Sequence, residues 1–504
     1  MDSLIPLFVV VPLGIAFLIP LIWKIVPAIF KYLPAAGLLF LLILAFYMVI
    51  TNGNEHLTYK VGGWEPVNNI PIAIYLSVDG LSLSTLIIIN LIGFLTSLYS
   101  IPYMKKFTGE NYFFSLFSLM TAGMNGVVIT GDLFNLFVFL EISVISSYAL
   151  VAFGSSKDEL EASFKYQVLG GIASLLILFG LALTFWLTST LNMNDISIML
   201  KQTADNRIII FIQLFFIAGF GLKAALIPFH AWLPDAHSSA PSPISAMLSG
   251  ILIKAVGVYA LFRLFFNIFQ HSLEISTILI VLGVLSMVIG VLLAFGQWDM
   301  KRLLAYSSIS QVGYIIMAAG IAMNILVKGG DKNIAVLALS GGLFHLFNHS
   351  VFKGLLFLTA GSVEYATGTR NLKELGGLSE SLPVTSVSSF GASMSIAGIP
   401  PFNGFFSKLI IIIAAIQGRF YLLALLAVIV SIITLSTFMK VQKYAFLDKS
   451  RNTKVINIKE VPFFMCLPMI VLVSLCLIMS LMVIPGIRDI FLLPAVNSLI
   501  SIII

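Results

Sequence analysis

The sequence is poor in charged residues and in cysteine. Only 10% of its 504 residues are Asp, Glu, Lys or Arg, whereas 59% are hydrophobic and the mean hydropathy is +1.06. Apolar runs of 18 or more residues recur from end to end, which excludes a soluble domain. Cys466 and Cys476 stand ten residues apart in one late apolar segment. This spacing fits neither a disulfide framework nor a zinc or iron–sulfur site, so we interpret both as buried packing residues.

Several enzyme signatures are also missing. The sequence contains no Walker A loop, no dinucleotide-binding fingerprint, no cysteine cluster and no nucleophile elbow. Its 28 Lys and Arg outnumber its 22 Asp and Glu, but they are scattered through short loops and form no basic stripe. Nucleic acid is therefore not a predicted partner. We predict no redox or catalytic centre, no metal site and no cofactor in this chain, and leave open whether it belongs to a larger oxidoreductase.

The apolar runs predict an all-α polytopic membrane protein with about 14 transmembrane helices. The run near 4–23 lacks a basic segment and a cleavage site, so it is predicted as the first spanning helix and not as a signal peptide. Alternating the spans places 15 of the 28 Lys and Arg in loops on one side of the membrane and 8 on the other. The positive-inside rule then predicts a multi-pass protein of the prokaryotic cell (inner) membrane with both termini outside.

Five lysines fall inside the apolar runs. A charge at the bilayer centre costs at least ~2.5–3.5 kcal/mol, so ionisable residues there are functional candidates. The five residues are Lys165, Lys223, Lys254, Lys353 and Lys408. They form the predicted intramembrane set.

Prolines interrupt two of the predicted helices. Pro228 lies in the seventh run, and Pro400 and Pro401 lie in the twelfth, where each must break the hydrogen-bond ladder of a helix. Paired broken helices predict two inverted five-helix repeats, although two unrelated kinks are the alternative. The predicted division is three N-terminal helices in 1–111, a first repeat in 112–269, a second in 273–446, and a C-terminal helix and tail in 447–504.

Histidines accompany the lysines. His345, His349 and Lys353 are spaced at i, i+4 and i+8, so they share one face of the eleventh helix. We weigh three roles for this face: a proton relay, structural hydrogen bonding, and ligation of a metal or haem. His230 and His237 either line a proton route or satisfy backbone groups that the prolines leave free.

Three long motifs carry a resemblance to a known family. They read DLFNLFVFLE at 132–141, KAALIPFHAWLPDAH at 223–237 and DMKRLLAYSSISQVGY at 299–314. Together they resemble the antiporter-type subunits shared by respiratory complex I and the Mrp sodium/proton antiporters. The chain is most similar to the Mrp D subunit and its counterparts in archaeal membrane-bound hydrogenases and sulfur-reducing complexes, because no long lateral helix follows the spans and Lys408 stands where one complex I paralogue has glutamate.

The resemblance implies roles for individual residues. Glu141 matches an essential glutamate and Lys223 the lysine that pairs with it, whereas Lys254 matches a central relay lysine. Lys408 matches the residue that exchanges protons with one aqueous phase. Lys165 has a family counterpart near the glutamate, so a contact with Glu141 is one expectation, and snorkelling to the membrane surface is the other.

The resemblance also implies a function. It favours a proton-translocating subunit of a multisubunit Mrp-type Na⁺/H⁺ antiporter or of a related ion-pumping respiratory complex, working beside other membrane subunits in the lipid bilayer. The alternative is an integral coupling subunit of a membrane-bound oxidoreductase of the hydrogenase, sulfur reductase or NADH dehydrogenase type. A self-sufficient transporter of an organic substrate is a third hypothesis. Protons are the predicted cargo. Sodium passage stays open, because the spans contain hardly any acid besides Glu141.

Overall fold

The computed structural model describes residues 1–52, 55–64, 73–202, 206–449 and 458–500. Helices make up most of this part of the chain, which confirms the all-α polytopic class. Arg451 and Lys454, two of the cations in the predicted orientation, lie outside the described residues. The main helices are α1 (Leu7–Ile25), α2 (Leu33–Asn52), α3 (Gly80–Tyr103), α4 (Glu110–Ile129), α5 (Leu133–Val151), α6 (Lys157–Thr188), α7 (Met193–Gln202), α8 (Asn206–Lys223), α9 (Trp232–Ser239), α10 (Ser242–Ile268), α11 (Leu273–Phe295), α12 (Met300–Val327), α13 (Lys332–Thr367), α14 (Pro383–Ala397), α15 (Asn403–Gln417), α16 (Tyr421–Leu447), α17 (Phe463–Val483), α18 (Pro485–Phe491) and α19 (Leu493–Ile500).

The spans agree with the predicted number. Within the described residues, 13 helices are long and apolar enough to cross a membrane. The remaining span is the twelfth of the predicted series, near 382–417, and it consists of the two shorter helices α14 and α15 on either side of a break. Cys466 and Cys476 in α17 are both buried free thiols, as expected of packing residues.

Two short strands were not predicted. β1 (Leu57–Lys60) and β2 (Tyr75–Val78) form an antiparallel pair in which Leu57 lies opposite Val78. Leu76 of β2 also bridges to Thr130, just before α5. We call the end of the helical bundle that carries this pair the hairpin face, and the other end the opposite face.

The core lies in the middle of the chain. All of the most apolar stretch of α10 is buried, as is 94% of that of α12, whereas only 33% of that of α1 is buried. Helices that are apolar all round and fully enclosed belong inside a bundle. These two helices carry part of the polar site, including Lys254 on α10 and Ser308 on α12, so these side chains lie where neither lipid nor bulk water reaches them.

The first broken helix ends earlier than its proline. α8 ends at Lys223, and the chain turns through 224–231 before α9 begins. The interruption contains Pro228, as expected, but it begins before the proline, because Ala225 already adopts a left-handed φ of 54°. The Trp232 indole N–H donates to the carbonyl of Leu222 over 2.9 Å and closes the turn.

The second broken helix is interrupted at Pro400 and Pro401. α14 ends at Gly398, which has a left-handed φ of 82°, and α15 starts at Asn403. The side-chain Nδ2 of Asn403 donates to Oδ1 of Asn348 over 2.9 Å. The side-chain Nδ2 of Asn348 donates to the backbone carbonyl of Asn403 over 3.0 Å. These bonds hold the start of α15 against α13.

The helix α10 has an irregular middle. Residues Leu248–Tyr259 are π-helical, and Lys254 lies at the centre of this stretch. Wide π-turns inside α-helices are rare and often accompany functional residues. The division of the chain into two inverted repeats stays a prediction.

Candidate functional site

The Glu141–Lys223 pair joins the helices α5 and α8. Lys223 Nζ lies 3.4 Å from Glu141 Oε1, and Ser174 of α6 lies between them. The Ser174 hydroxyl lies 2.5 Å from Glu141 Oε1 and accepts from Lys223 Nζ over 3.0 Å. One hydroxyl therefore contacts both charges of the predicted pair.

The two partners differ in exposure. The Lys223 side chain is 3% exposed, whereas that of Glu141 is 23% exposed on the outer surface of this chain. An ionisable group that faces lipid at the middle of a span is costly, so this surface suits contact with protein or water. Glu141 is thus the end of the buried polar chain that reaches the flank of the molecule.

Lys165 does not contact Glu141. Its ammonium pairs with Glu161 at 2.8 Å and with Asp235 at 3.2 Å, and its side chain is 47% exposed. The expectation of a contact with Glu141 is therefore wrong. Lys165 lies in the third turn of α6, and its long side chain reaches the exposed partners at the opposite face, in agreement with the alternative expectation of snorkelling. There it joins α6 to the end of the first broken helix, where Arg302 also binds Asp235 at 2.9 Å.

Lys254 is buried in the π-helical stretch of α10. Its ammonium donates to the carbonyl of Gly250 over 2.9 Å and to that of Ser249. The Ser249 hydroxyl lies 2.7 Å from the hydroxyl of Ser308 on α12. Backbone oxygens and hydroxyls thus surround this lysine.

Lys353 approaches the same part of α12 from the other side. Its ammonium donates to the carbonyl of Leu304 over 2.8 Å and to the hydroxyl of Ser307. Ser307 and Ser308 are neighbours in sequence, so one serine pair contacts the surroundings of both Lys254 and Lys353. These hydroxyls can donate and accept in turn, which suits proton exchange between the two amines.

The two histidines of α13 have different partners. His345 lies 3.0 Å from the Ser407 hydroxyl through Nδ1 and 3.2 Å from Gln311 Oε1 through Nε2. Both nitrogens of His349 are buried without a hydrogen-bond partner. The two rings lie 6.3 Å apart, as expected of residues one turn apart on one face.

Lys408 lies beside the second helix break. Its side chain is buried, and its ammonium donates to the carbonyl of Ile396 in the last turn of α14 over 2.8 Å. Free carbonyls at a helix C-terminus favour a cation. The ammonium also lies 5.0 Å from the centre of the Tyr314 ring. Ser407, the residue before Lys408, contacts His345, so the chain of polar groups continues from α13 to α15.

His230 and His237 lie in different surroundings around the first break. His230 is partly exposed and lies in the turn before α9, whereas His237 is fully buried in α9. Neither ring nitrogen of His237 has a hydrogen-bond partner, and its ring packs edge-on against Phe357. In the described part of the chain, no group of three or more His, Cys, Asp or Glu is placed to hold a metal ion.

Several polar residues of this site were not predicted from the sequence. Serine is common, and nothing in the spacing marks a serine that joins two charges. The motif at 299–314 contains Ser307, Ser308 and Gln311, so its polar residues at helical spacing were the available signal. The residues that the sequence did not single out are Ser174, Ser249, Ser307, Ser308, Gln311 and Ser407.

Comparison with protein families identifies the architecture. A family described as NADH:quinone oxidoreductase/Mrp antiporter, transmembrane, matches residues 130–434. The chain belongs to this family. A second family, described as the N-terminus of complex I chain 5, matches residues 64–114. The first match contains Glu141 and the buried lysines Lys223, Lys254, Lys353 and Lys408.

The curated relatives include subunits of Na(+)/H(+) antiporters and a subunit of an NADH-quinone oxidoreductase. The chain is 34% identical to the D subunit of the Na(+)/H(+) antiporter of Alkalihalophilus pseudofirmus, over 82% of this chain and 81% of that protein. It is also 34% identical to the N subunit of the NADH-quinone oxidoreductase of Desulforudis audaxviator, over 88% and 86%. The antiporter D subunit of Bacillus subtilis is 30% identical over 80% and 78%.

Two solved structures share the fold of this chain over nearly its whole length. A chain of the Mrp complex from Dietzia sp. DQ12-45-1b superimposes with a TM-score of 0.86 at 26% identity and covers 99% of this chain and 98% of its own. A chain of the membrane-bound sulfane sulfur reductase, an archaeal respiratory membrane complex, superimposes with a TM-score of 0.85 at 28% identity. The match covers 100% of this chain and 99% of that chain. Both are subunits of multisubunit membrane complexes, in agreement with the predicted Mrp-like branch.

Proposed function

We propose that this chain translocates protons as the antiporter-like subunit of a multisubunit Mrp-type Na⁺/H⁺ antiporter or of a related ion-pumping respiratory complex. The observation that carries the proposal is the contact of Glu141, Ser174 and Lys223 beside a broken helix. Burial disfavours both charges and pairing favours both, so moving the partners together or apart changes which of them holds a proton. The pair therefore acts as a switch.

The remaining buried groups supply the route. His349 lies within electrostatic reach of Lys254, Lys353 and His345, and Lys254 lies within reach of His345 and Lys353. Lys408 ends the series at the second break, where interrupted backbone admits water. We propose that protons move between Lys223 and Lys408 along these groups, through serine hydroxyls and intervening waters.

The coupling to neighbours follows from Glu141. Its partly exposed carboxylate lies on the flank of the chain, so a neighbouring protein of the complex covers it. A change in that neighbour alters the charge that faces Glu141 and biases the switch. This coupling serves a sodium/proton antiporter and a redox-driven complex equally, and the redox centre of the latter resides in other subunits.

The proposed orientation follows the charges. We propose a cell (inner) membrane location with both termini outside, so that the hairpin face is outside and the opposite face is cytoplasmic. The predicted excess of Lys and Arg in the loops of the opposite face supports this orientation.

Mutation of the switch tests the proposed function. Glu141→Ala and Lys223→Ala should each abolish proton-coupled transport by the reconstituted complex, measured as dissipation of a pH gradient in vesicles with matched protein levels. Lys254→Arg should transport nearly as poorly as Lys254→Ala, since a guanidinium does not release its proton near neutral pH. Normal transport by either assembled Glu141 or Lys223 variant would contradict the proposal.

A further inference from the structure

A second group of titratable side chains lies at the opposite face, apart from the Glu141–Lys223 pair. A cavity of about 160 Å³ opens there among the ends of α3, α6, α9, α12 and α13. Its walls carry Lys301, Glu364, Arg370, Asp158 and Glu159. The proposed function so far assigns no role to any of these residues.

Lys301 is the most deeply buried of them. It is 1% exposed, although the sequence placed it in a loop. Its ammonium donates to the carbonyl of Ala240 over 2.6 Å and lies 3.8 Å from Glu364 Oε2. Asp299, Glu159 and Arg370 also act on its charge. A buried lysine between a surface cavity and the protein interior is costly unless it is paired or used.

Glu364 connects this lysine to the cavity. Its side chain is 31% exposed, and Oε2 accepts from the Ser242 hydroxyl over 3.4 Å. Arg370 lies 3.6 Å from Oε1 but bonds more closely to Asp299, at 2.5 Å. The strongest partner of Arg370 is thus Asp299, and Glu364 is left between an arginine and a buried lysine.

His237 lies in α9, close in sequence to the group that binds Lys301. It precedes Ala240, the residue that binds the Lys301 ammonium, by three positions. Its ring is fully buried, and neither nitrogen has a hydrogen-bond partner. Lys301, Lys254 and Lys353 all lie within electrostatic reach of the ring. A buried polar group without a partner is destabilising, so its presence here calls for a role.

We propose that this cavity is a proton vestibule through which Glu364, Lys301 and His237 connect the aqueous phase at the opposite face to the buried lysines. This inference rests on the proposed function and adds the route at one end of it. A proton taken up by the Glu364 carboxylate passes to neutral Lys301 after its ammonium has released one to His237. The resulting imidazolium passes its proton to the neutral amine of Lys254 or Lys353. Uptake forms one O–H bond on Glu364 with a proton released by hydronium of the aqueous phase. Each later transfer forms one N–H bond and breaks one N–H or O–H bond, and the transfers to and from His237 pass through water because its nitrogens have no direct partner, so the protons balance.

Substitution of Lys301 separates a relay from a structural strut. In the complete complex reconstituted in vesicles, Lys301→Gln should lower the rate of proton transport at least ten-fold. Lys301→Arg should lower it at least five-fold, because arginine keeps the charge and the bond to Ala240 but does not release its proton. If Lys301→Arg transports at the full rate, Lys301 has a structural role only, and the proposed vestibule is contradicted.

Substitutions of the flanking groups complete the test. His237→Gln should lower transport several-fold, and Glu364→Gln should do so more strongly than Glu364→Asp, which keeps a titratable group. Lys105→Gln is the matched control, since Lys105 is exposed at the same face and outside the cavity. Should Lys301→Gln fail to assemble, the Lys301→Arg and Glu364→Gln pair still decides.

Labelling measures access independently of mutation at the relay. Ser239 lines the cavity, so Ser239→Cys should react with a membrane-impermeant thiol reagent added at the opposite face, and labelling should slow transport relative to the unlabelled variant. The parent chain, with Cys466 and Cys476 buried, is the labelling control. Failure to label, or equal rates before and after labelling, would overturn the vestibule.

The outcomes also separate this inference from the proposed function. If the Glu141 and Lys223 variants are inactive while the Lys301 and His237 variants transport normally, the switch stands and the vestibule is wrong. If the Glu141 and Lys223 variants transport normally, the proposed function itself is wrong.

Discussion

A single hydroxyl sets the geometry of the charged pair between α5 and α8. Because Ser174 contacts both Glu141 Oε1 and Lys223 Nζ, the two charges need not touch to exchange a proton. A serine both donates and accepts, so it can relay a proton in either direction. Small movements of α8 relative to α5 would lengthen the contact between the charges, at 3.4 Å in the structure, while a bond to the serine persists.

At the second break, Lys408 should be more important than either histidine. His345 already has two hydrogen-bond partners and His349 has none, so water can replace one ring, whereas the Lys408 ammonium is the charged group that binds the Ile396 carbonyl in the last turn of α14. Lys408→Ala should therefore block pH-gradient dissipation in vesicles, whereas His345→Ala and His349→Ala should each lower it several-fold. Matched protein levels are the control. An equal or milder loss in Lys408→Ala would mean that protons leave by another route.

At the scale of elements, the second broken helix depends on close contact between its halves. A Cβ added at Gly404 would lie 1.9 Å from the carbonyl oxygen of Ser395, so any side chain there forces α14 and α15 apart. Gly404→Ala should lower transport at least ten-fold by moving Lys408, with assembly retained. Gly171→Ala is the matched control, because a Cβ at Gly171 of α6 meets nothing within 4 Å. Equal activity of the two variants would show that the break tolerates separation.

The elements that the sequence predicted are those with a strong local signal. Runs of about 20 apolar residues predict spans, and Pro228, Pro400 and Pro401 predict breaks, because bilayer thickness and the missing proline N–H act locally. The π-helical stretch around Lys254 has no such signal, since it depends on the helices that surround α10. Lys301 was placed in a loop because it falls between the spans predicted near 273–296 and 303–325. In the structure Asp299 caps α12 immediately before it, and the first turn is already buried.

The candidate site was predictable only in part for a similar reason. Glu141 and the buried lysines stand out because a charge in an apolar run is rare and costly. Serines such as Ser174 and Ser308 cost little in a membrane helix, so their positions carry no signal until the tertiary contacts are known. The contact expected for Lys165 was wrong because its distance from the membrane surface, and not its place in a motif, decides its partner.

At the scale of the whole molecule, an ion pair holds the hairpin face together. Asp79 caps α3 and binds Arg263 of α10 through both carboxylate oxygens, at 2.5 and 2.7 Å. Burial alone would raise the pKa of Asp79, but the charge and hydrogen bonds of Arg263 outweigh it and lower the pKa from 3.8 to about 2. Both residues line a cavity of about 760 Å³.

The pair should make stability depend on acid. A carboxyl whose pKa is lower in the folded state contributes its full stabilisation above its unfolded pKa, and loses it as the pH falls through the folded value. The contribution is about 2 kcal/mol, present above pH ~4 and lost between pH ~4 and ~2. Asp79→Asn should therefore lower the unfolding temperature of the purified complex at pH 7 and pH 5, and the difference should shrink at pH 3.

A second aspartate provides the control for this measurement. Asp331 caps α13 as Asp79 caps α3, but it is exposed, so Asp331→Asn keeps a capping side chain and should change the unfolding temperature little. A shift of equal size in both variants, or one independent of pH, would assign the effect to the cap and not to the ion pair.

The imbalance between lysines and carboxylates has a consequence for how charge moves. Within the described residues, Glu141 is the one carboxylate that contacts any of Lys223, Lys254, Lys353 and Lys408. Four ammoniums with one carboxylate among them would repel one another strongly in a medium of low dielectric. The four lysines are therefore not all protonated at once in the resting protein. At least one amine is then unprotonated, which leaves a vacancy for a proton. Transport is best described as the movement of this vacancy: each hop of a proton in one direction carries the empty position in the other, and filling it at one end opens it at the other.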